Sequence, residues 1–182
     1  MMKRIDYVDN LFDDDFVARV STKYHTNLWR YGHTSNRPDA SVFWVSDRLA
    51  DFTPLIDCPD QKIIFDKIKE YYKFEVGEFR DEDIYINGQT YELEGQMHID
   101  CSHKQKPTEK YTIIYMVNYH SDNMQGFETY QNTVDFVPGR VVIFDSIMPH
   151  RGLSTSVKNN CRMTLTWKSF DLVFDKTSPI ML

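Results

Sequence analysis

The chain has 182 residues, the size of one ordinary domain, and a domain of this length folds without needing a metal or a disulfide. Its 41% hydrophobic and 26% charged residues exclude disorder, collagen and coiled coil, and no apolar run approaches the roughly 20 residues of a membrane span. The net charge of −6 argues against nucleic acid or a membrane as the main partner, while three cysteines without a CxxC pair and an N-terminus without an apolar stretch favour a cytoplasmic protein.

The helical signals lie in about the first 75 residues. Asp13–Asp15 precede apolar residues at helical spacing, among them Phe16 and Val20, and acids suit the positive end of a helix. A second helix is predicted from Asp60 to Tyr72, with apolar residues recurring along one face. The segment between them, residues 27–45, has the composition of extended chain.

From about residue 76 the pattern changes to short strands separated by turns. The predicted strands cover residues 83–87, 111–118, 133–137, 140–144 and 161–167. Pro138-Gly139 predicts a type II turn. Helices followed by many short strands predict a mainly β jelly roll with the N-terminal helices packed outside. We expect one domain over residues 1–182, with a helical support region to about residue 75 and a jelly-roll core over about 76–170.

Histidines are the first candidates for a metal site, because iron, copper and zinc sites draw on His, Asp, Glu and Cys. Two H-x-D triplets occur, His98-Ile99-Asp100 and His120-Ser121-Asp122. In a strand the first and third residues point to the same side, and apolar Ile99 suits the opposite, buried side. The second triplet follows a strand in a polar turn, where a solvated loop is the better interpretation.

A third ligand is expected from a distant strand. His150 lies 52 residues after His98, an interval with room for about four short strands, which a jelly roll needs to bring two strands side by side. Taken alone, His150 is better interpreted as a turn histidine beside Pro149.

Arg162 begins an alternating run in which Arg162, Thr164 and Thr166 face one way. An arginine held inside a barrel needs an anion, because an unpaired buried charge is costly. A ligand carboxylate can supply that anion if no acid of the chain does, with a threonine hydroxyl assisting. The alternative is an edge-strand arginine that points to solvent.

Together these residues resemble the iron(II)/2-oxoglutarate-dependent dioxygenases. Between residues 83 and 169 the chain carries, in that family's order, an H-x-D triplet, a distal histidine after a Gly-x-Val-x-x-Phe strand, and an R-x-T motif. Tyr115–Asn118 and Gly126–Tyr130 are similar to the family's central strand and the segment after it. Asp6–Phe12, with the helix that follows, resembles the lead-in of the prolyl 4-hydroxylase-like branch.

The resemblance implies a double-stranded β-helix, cupin-like, that uses Fe(II), 2-oxoglutarate and O2, with ascorbate as a candidate reductant. It implies hydroxylation of a C–H bond of peptidyl proline or of a small molecule, with release of succinate and CO2. The implied catalytic residues and Fe(II) ligands are His98, Asp100 and His150. The implied 2-oxoglutarate contacts are Arg162, Thr164 and Asn87.

Three other functions compete with this interpretation. The same barrel could hold zinc or only bind a ligand, since two histidines and a carboxylate also suit hydrolytic zinc, but a zinc hydrolase has no need of Arg162. A cysteine nucleophile at Cys101 or Cys161 is a second alternative, although a small core residue is the better interpretation of Cys161. A nucleic-acid demethylase is disfavoured by the net charge and by the absence of a second arginine shortly after Arg162. The next basic residue is Lys168, six positions later.

Overall fold

The computed structural model describes residues 5–34, 42–76, 83–101, 110–120, 122 and 124–181. The two α-helices are α1 (Asp14–His25) and α2 (Pro59–Tyr72). The strands are β1 (Ile5–Val8), β2 (Arg30–Thr34), β3 (Val42–Ser46), β4 (Phe74–Val76), β5 (Ile84–Thr90), β6 (Lys110–Met116), β7 (Phe127–Thr129), β8 (Thr133–Val134), β9 (Val141–Asp145), β10 (His150–Gly152) and β11 (Cys161–Phe174). Short 3₁₀ turns lie at Leu55–Asp57 and Pro179–Met181.

Both predicted helices are present, and each begins where its sequence provides a start signal. Asp13 caps α1 by accepting a hydrogen bond from the Phe16 backbone N–H at 2.8 Å, and two further acids follow in the first turn. Pro59 opens α2 one residue earlier than predicted, since proline has the right φ for the first helical turn and needs no N–H partner there. Ile64 and Ile68 lie on the buried face of α2, as their spacing predicts.

The strands form two antiparallel sheets. The larger has the order β1-β9-β6-β11-β5-β3-β2, with β4 added on β11, and the smaller has the order β10-β7-β8. Neighbours such as β1 and β9, or β6 and β11, are distant in sequence, which is the connectivity of a jelly roll. The first four strands thus share a sheet with strands from the last hundred residues. The division into a support region and a core stays a prediction.

The larger sheet has two chemically different faces. On its outer face Met163, Leu165 and Trp167 of β11 belong to one apolar core with Val20 of α1 and Ile64 of α2. The predicted packing of the N-terminal helices on the outside is therefore confirmed. The alternation that sends these side chains outward sends the residues between them inward.

The inner face looks toward the smaller sheet. A second apolar cluster fills this space, and its members come from both sheets and from the loops between them: Ile114, Met116, Phe127, Val134, Phe136, Val142, Phe144 and Met148. The cluster occupies one part of the jelly-roll interior. The polar pocket described below occupies the rest.

The predicted turn at Pro138-Gly139 is present. Gly139 has φ +74°, and the Arg140 N–H donates to the Val137 carbonyl at 3.0 Å, as in a type II turn. The strand before it is shorter than predicted, because the Val137 N–H donates to Met116 Sδ at 3.3 Å rather than to a ladder carbonyl. β11 is longer than predicted and continues past a register shift between Trp167 and Phe170.

Within the described ranges, no helix has both the length and the apolar character needed to cross a membrane.

Leu165→Ala should lower the free energy of unfolding by about 2–5 kcal/mol, because Leu165 is fully buried between the sheet and the helices and its removal leaves a cavity. Urea denaturation followed by circular dichroism measures the change. Val173→Ala on the same strand is the control, since Val173 is 69% exposed and its truncation should change stability by less than about 0.5 kcal/mol. Equal losses in the two variants would contradict the assignment of the outer core.

Candidate active site

His98, Asp100 and His150 lie together inside the jelly roll. One ligand atom from each lies within 4.8 Å of the others, and they form the one such cluster found in the described part of the chain. Nε2 of His98 lies 3.5 Å from Asp100 Oδ1, and Nε2 of His150 lies 3.5 Å from Asp100 Oδ2. Two imidazoles and one carboxylate converging from one side are the donor set that suits a divalent transition metal.

Backbone pairing brings the two histidines together. The His98 N–H donates to the His150 carbonyl and the His150 N–H donates to the His98 carbonyl, both at 2.9 Å. The predicted strand through residues 98–100 is wrong beyond His98, however. The chain bends there, because the N–H groups of Asp100 and Cys101 both donate to the Ser146 carbonyl, at 2.9 and 3.1 Å. The bend, rather than strand alternation, aims Asp100 at the histidines.

Both imidazole rings are held in the same way. Nδ1 of His98 is 2.8 Å from the Gln96 carbonyl, and Nδ1 of His150 is 2.9 Å from the Met148 carbonyl. A carbonyl only accepts hydrogen bonds, so Nδ1 carries a proton in each ring. In the neutral ring Nε2 is then unprotonated and directed toward the carboxylate, which is the arrangement that metal-binding histidines need.

The Asp100 carboxylate is supported from several sides. Thr112 Oγ1 donates to Asp100 Oδ2 at 2.7 Å and lies 3.0 Å from Ser146 Oγ, while Lys168 Nζ lies 3.2 Å from Asp100 Oδ1. Burial alone would raise the pKa of Asp100, but His150, His98 and Lys168 together hold that pKa well below its usual range.

Burial also lowers the pKa of His150, against the opposing effect of Asp100. The carboxylate is therefore ionised while the His150 imidazole tends to be neutral. These are the protonation states in which the two groups bind metal.

The triad opens on a pocket whose floor is the inner face of the larger sheet. The side chains that alternate inward from β5 and β11 line it: Tyr85, Asn87, Gln89, Arg162, Thr164 and Thr166. All three residues predicted to bind a carboxylate cosubstrate, Arg162, Thr164 and Asn87, thus line the same pocket as the triad. On the ladder Thr164 pairs with Asn87, and Arg162 pairs with Gln89.

Arg162 is a buried cation without an acidic partner among the described residues. It is 1% exposed, its Nε donates to the Gln125 carbonyl at 2.7 Å, and its Nη1 donates to Gln89 Oε1. Gln89 is held in turn, since its Nε2 donates to the Gly152 carbonyl at 3.1 Å. Burial lowers the pKa of Arg162 to about 10. A buried guanidinium whose polar contacts are all neutral is a site prepared for an anion.

Two further polar atoms point to a ligand in the pocket. Asn87 Oδ1 and Thr166 Oγ1 are buried without a hydrogen-bond partner in the described structure, and both residues line the pocket. Buried polar groups are nearly always paired, so an unpaired atom at a cavity wall indicates a missing partner. The Thr166 hydroxyl can donate to a ligand oxygen, whereas Asn87 Oδ1 only accepts and needs a donor, such as a water bound to the ligand.

The sequence did not reveal every functional residue. Gln89, Thr112 and Lys168 were not predicted as site residues. The spacing contains a signal for two of them, because Gln89 alternates with Asn87 on one strand and Lys168 alternates with Arg162 on another. Thr112 reaches Asp100 from a different strand, and no local pattern identifies such a contact.

The competing sites predicted from the sequence lack support. His120 and Asp122 are exposed, as expected for a solvated loop. Cys101 is buried, and burial raises the pKa of its thiol. Burial raises the pKa of Cys161 to about 11, and this residue packs against the outer core. A thiol with a raised pKa is a poor nucleophile, so the structure favours small packing residues at both positions.

Thr112→Val should weaken binding of a divalent metal by about 10- to 100-fold, because the Asp100 carboxylate loses its hydroxyl donor while the shape of the side chain is kept. Titration of the metal-free protein with Mn(II) measures the affinity. Thr133→Val, at an exposed position on β8, is the matched control and should bind Mn(II) like the wild type. An unchanged affinity in Thr112→Val would remove Thr112 from the support of the site.

No protein-family model matches the chain, and no curated protein matches it either. Solved structures do match. A prolyl hydroxylase from Trichoplax adhaerens, in complex with a hypoxia inducible factor oxygen degradation domain peptide fragment, superposes with a TM-score of 0.65 at 14% identity, covering 92% of this chain and 83% of that one. A 2OG-Fe(II) oxygenase family oxidoreductase from Burkholderia pseudomallei superposes with a TM-score of 0.56 at 13% identity, covering 92% of this chain and 84% of that one.

A Pseudomonas putida prolyl-4-hydroxylase likewise gives a TM-score of 0.56 at 12% identity, covering 93% of each chain. At sequence identities this low, the similarity shows a shared fold and does not show a shared function. The three structures nevertheless agree on one architecture across nearly the whole of this chain. The predicted double-stranded β-helix is therefore confirmed, and the chain has the fold of the prolyl hydroxylases and the 2-oxoglutarate/Fe(II) oxygenases.

Proposed function

We propose that the protein is an Fe(II)- and 2-oxoglutarate-dependent oxygenase that hydroxylates a C–H bond and releases succinate and CO2. One observation carries the proposal: a two-histidine, one-carboxylate cluster and a buried arginine without an acidic partner open on the same pocket. Each feature alone fits more than one class of protein. A metal site next to an anion site is what a metal-chelating dicarboxylate such as 2-oxoglutarate requires.

The residues present fit the iron. His98, Asp100 and His150 offer two imidazole nitrogens and one carboxylate oxygen, and all three line the pocket. Fe(II) held there would supply the redox chemistry that couples decarboxylation of 2-oxoglutarate to hydroxylation by O2. Thr112 fixes the carboxylate, and the backbone carbonyls of Gln96 and Met148 fix the two rings.

The residues also fit the cosubstrate. Arg162 would bind the distal carboxylate of 2-oxoglutarate through the guanidinium N–H groups that Gln125 and Gln89 leave free. Thr164 would donate a second hydrogen bond from the same strand, and Asn87 lies opposite Thr164 on β5. Since Gln89 already holds the guanidinium in place, little freedom is lost when the anion binds.

Aromatic side chains keep the site dry on the side of the second apolar cluster. The Phe144 and Phe127 rings lie 4.7 and 5.3 Å from the His150 ring, centroid to centroid. Both rings are buried. Exclusion of water strengthens every charge interaction in the pocket and limits side reactions of the oxidant.

The alternative is a jelly roll that holds zinc, or one that binds metal without 2-oxoglutarate chemistry. The triad by itself fits zinc equally well. Arg162 favours the oxygenase, because a buried cation at the floor of the pocket has no role in zinc-assisted hydrolysis. Metal preference and cosubstrate dependence distinguish the two functions.

The prime substrate, the reductant and the cellular location belong to the proposal as well. The Trichoplax structure contains a peptide, which supports keeping peptidyl proline beside small molecules as a substrate class. Ascorbate is the proposed reductant of oxidised iron. Cys58, Cys101 and Cys161 form no disulfide, which supports a reducing, cytoplasmic location.

Anaerobic titration of the metal-free protein with Fe(II), then with 2-oxoglutarate, tests the proposal. A weak visible charge-transfer band that needs both additions is expected for the wild type. His98→Ala, Asp100→Ala and His150→Ala should each lose iron binding and therefore the band. Normal iron binding in any one of them would remove that residue from the ligand set.

Arg162→Met should keep its metal affinity but lose 2-oxoglutarate affinity by about 30-fold or more, since truncating one partner of a buried charged contact costs roughly 2–5 kcal/mol. Circular dichroism establishes that the variant is folded. If the wild type binds iron but shows no band, the zinc or binding-protein alternative replaces the oxygenase. If neither addition binds, the proposed function is wrong.

A further inference from the structure

Lys168 is a second cation in the pocket, and it lies at the end away from Arg162. The two residues share the inner face of β11, where six residues at about 3.3 Å each separate their Cα atoms by about 20 Å. Arg162 is 1% exposed and has no contact with an acid of the described chain, whereas the Lys168 side chain is 21% exposed and its Nζ lies 3.2 Å from Asp100 Oδ1. A carboxylate bound to Arg162 would therefore not reach Lys168.

Lys168 also lies where the pocket meets a second cavity. This cavity, of about 370 Å³, shares Lys168, His33, Thr34 and Tyr85 with the pocket, and it is lined further out by Arg30. The side chain of Arg30 is 67% exposed, so this cavity leads toward the surface. A molecule that approaches the triad along this path passes the Lys168 ammonium.

The charges around this junction are partly balanced. Arg30 pairs with Asp47 at 2.8 Å, and Asp83 lies in the same cavity wall. Burial lowers the pKa of His33, and the positive charges of Lys168 and Arg30 lower it further. Lys168 and Arg30 thus both act on His33, which lines the two cavities.

The partner of Lys168 in this structure is the carboxylate that the metal needs. Among the described residues its one ion pair is with Asp100 Oδ1, at 3.2 Å. A divalent cation held by Asp100 would neutralise that carboxylate and repel a neighbouring ammonium. Lys168 is 21% exposed and has a flexible four-carbon stem, so it can turn toward the second cavity.

We infer that Lys168 binds a carboxylate of the prime substrate, an inference that rests on the proposed function. The substrate class is then a small carboxylic acid, such as an amino acid, rather than the uncharged interior of a peptide. In the reaction a C–H bond of this acid becomes C–OH with one oxygen atom of O2. The other oxygen atom enters succinate, and 2-oxoglutarate loses its first carbon as CO2.

Mn(II) alone provides the first test, because it reports the ion pair without any substrate. Lys168→Met keeps the length of the side chain and removes its charge, so the variant should bind Mn(II) several-fold more tightly than the wild type. Lys110→Met is the matched control: Lys110 is also 21% exposed but pairs with Asp171 outside the pocket. Its Mn(II) affinity should equal that of the wild type.

The second test uses the protein loaded with Mn(II) and 2-oxoglutarate without O2. Proton NMR signals of the L-amino acids and of their primary amides are recorded, since a probe bound near Mn(II) is broadened. Some free acids should be broadened and their amides should not. The effect should fall at least tenfold in Lys168→Met, stay unchanged in Lys110→Met and be partly kept in Lys168→Arg. A short peptide with a free or an amidated C-terminus shows whether the carboxylate belongs to a peptide end.

The outcomes separate this inference from the proposed function. Suppose that Mn(II) and 2-oxoglutarate bind to the wild type. If the NMR signals of the amides are then broadened as strongly as those of the acids, or if no acid signal is broadened, the inference is wrong and the proposed oxygenase function remains. The same conclusion follows if the acid signals are still broadened by the Lys168→Met variant. A loss of 2-oxoglutarate affinity in Lys168→Met would assign the lysine to the cosubstrate instead. If Mn(II) and 2-oxoglutarate fail to bind to the wild type, the proposed function itself fails.

Discussion

Two reciprocal hydrogen bonds between the backbones of His98 and His150 are the contact on which the candidate site depends. They join segments 52 residues apart and place the two imidazoles with ring centroids 4.4 Å from each other. Backbone pairing of this kind is insensitive to the side chains that surround it. The metal ligands therefore have a rigid frame, and each ring needs only one further contact, from its Nδ1 to a nearby carbonyl.

The central strand β11 connects stability and function. Its outward side chains, such as Leu165 and Trp167, belong to the core that holds the helices, while its inward side chains, from Arg162 to Lys168, line the pocket. A one-residue shift in register would exchange these two sets. Selection for a stable core on one face thus also fixes which residues face the pocket on the other.

The fold class was predicted correctly from local patterns, and the predicted site residues line one pocket, while their roles stay predictions. Alternation along β11 places Arg162 and Thr164 on one face, and helical spacing places Ile64 and Ile68 on another. The strand expected at Asp100 was wrong, since the bend depends on the Ser146 carbonyl, which belongs to a distant segment. Thr112 was missed for the same reason: cross-strand partners depend on register, which one sequence does not display.

The contact of Gln89 with Gly152 has a consequence for how the two ligands bind. Gln89 bonds to Arg162 on one side and to the carbonyl of Gly152 on the other, two residues from His150. A Cβ atom at Gly152 would lie 2.5 Å from Gln89 Oε1, so the glycine leaves just enough room for this chain of contacts. Gln89 therefore connects Arg162 to strand β10, which carries the predicted metal ligand His150. If metal bound at His150 orders Gln89, it would raise the affinity of Arg162 for an anion, and the anion would then raise the affinity for metal by the same factor, because such coupling is reciprocal.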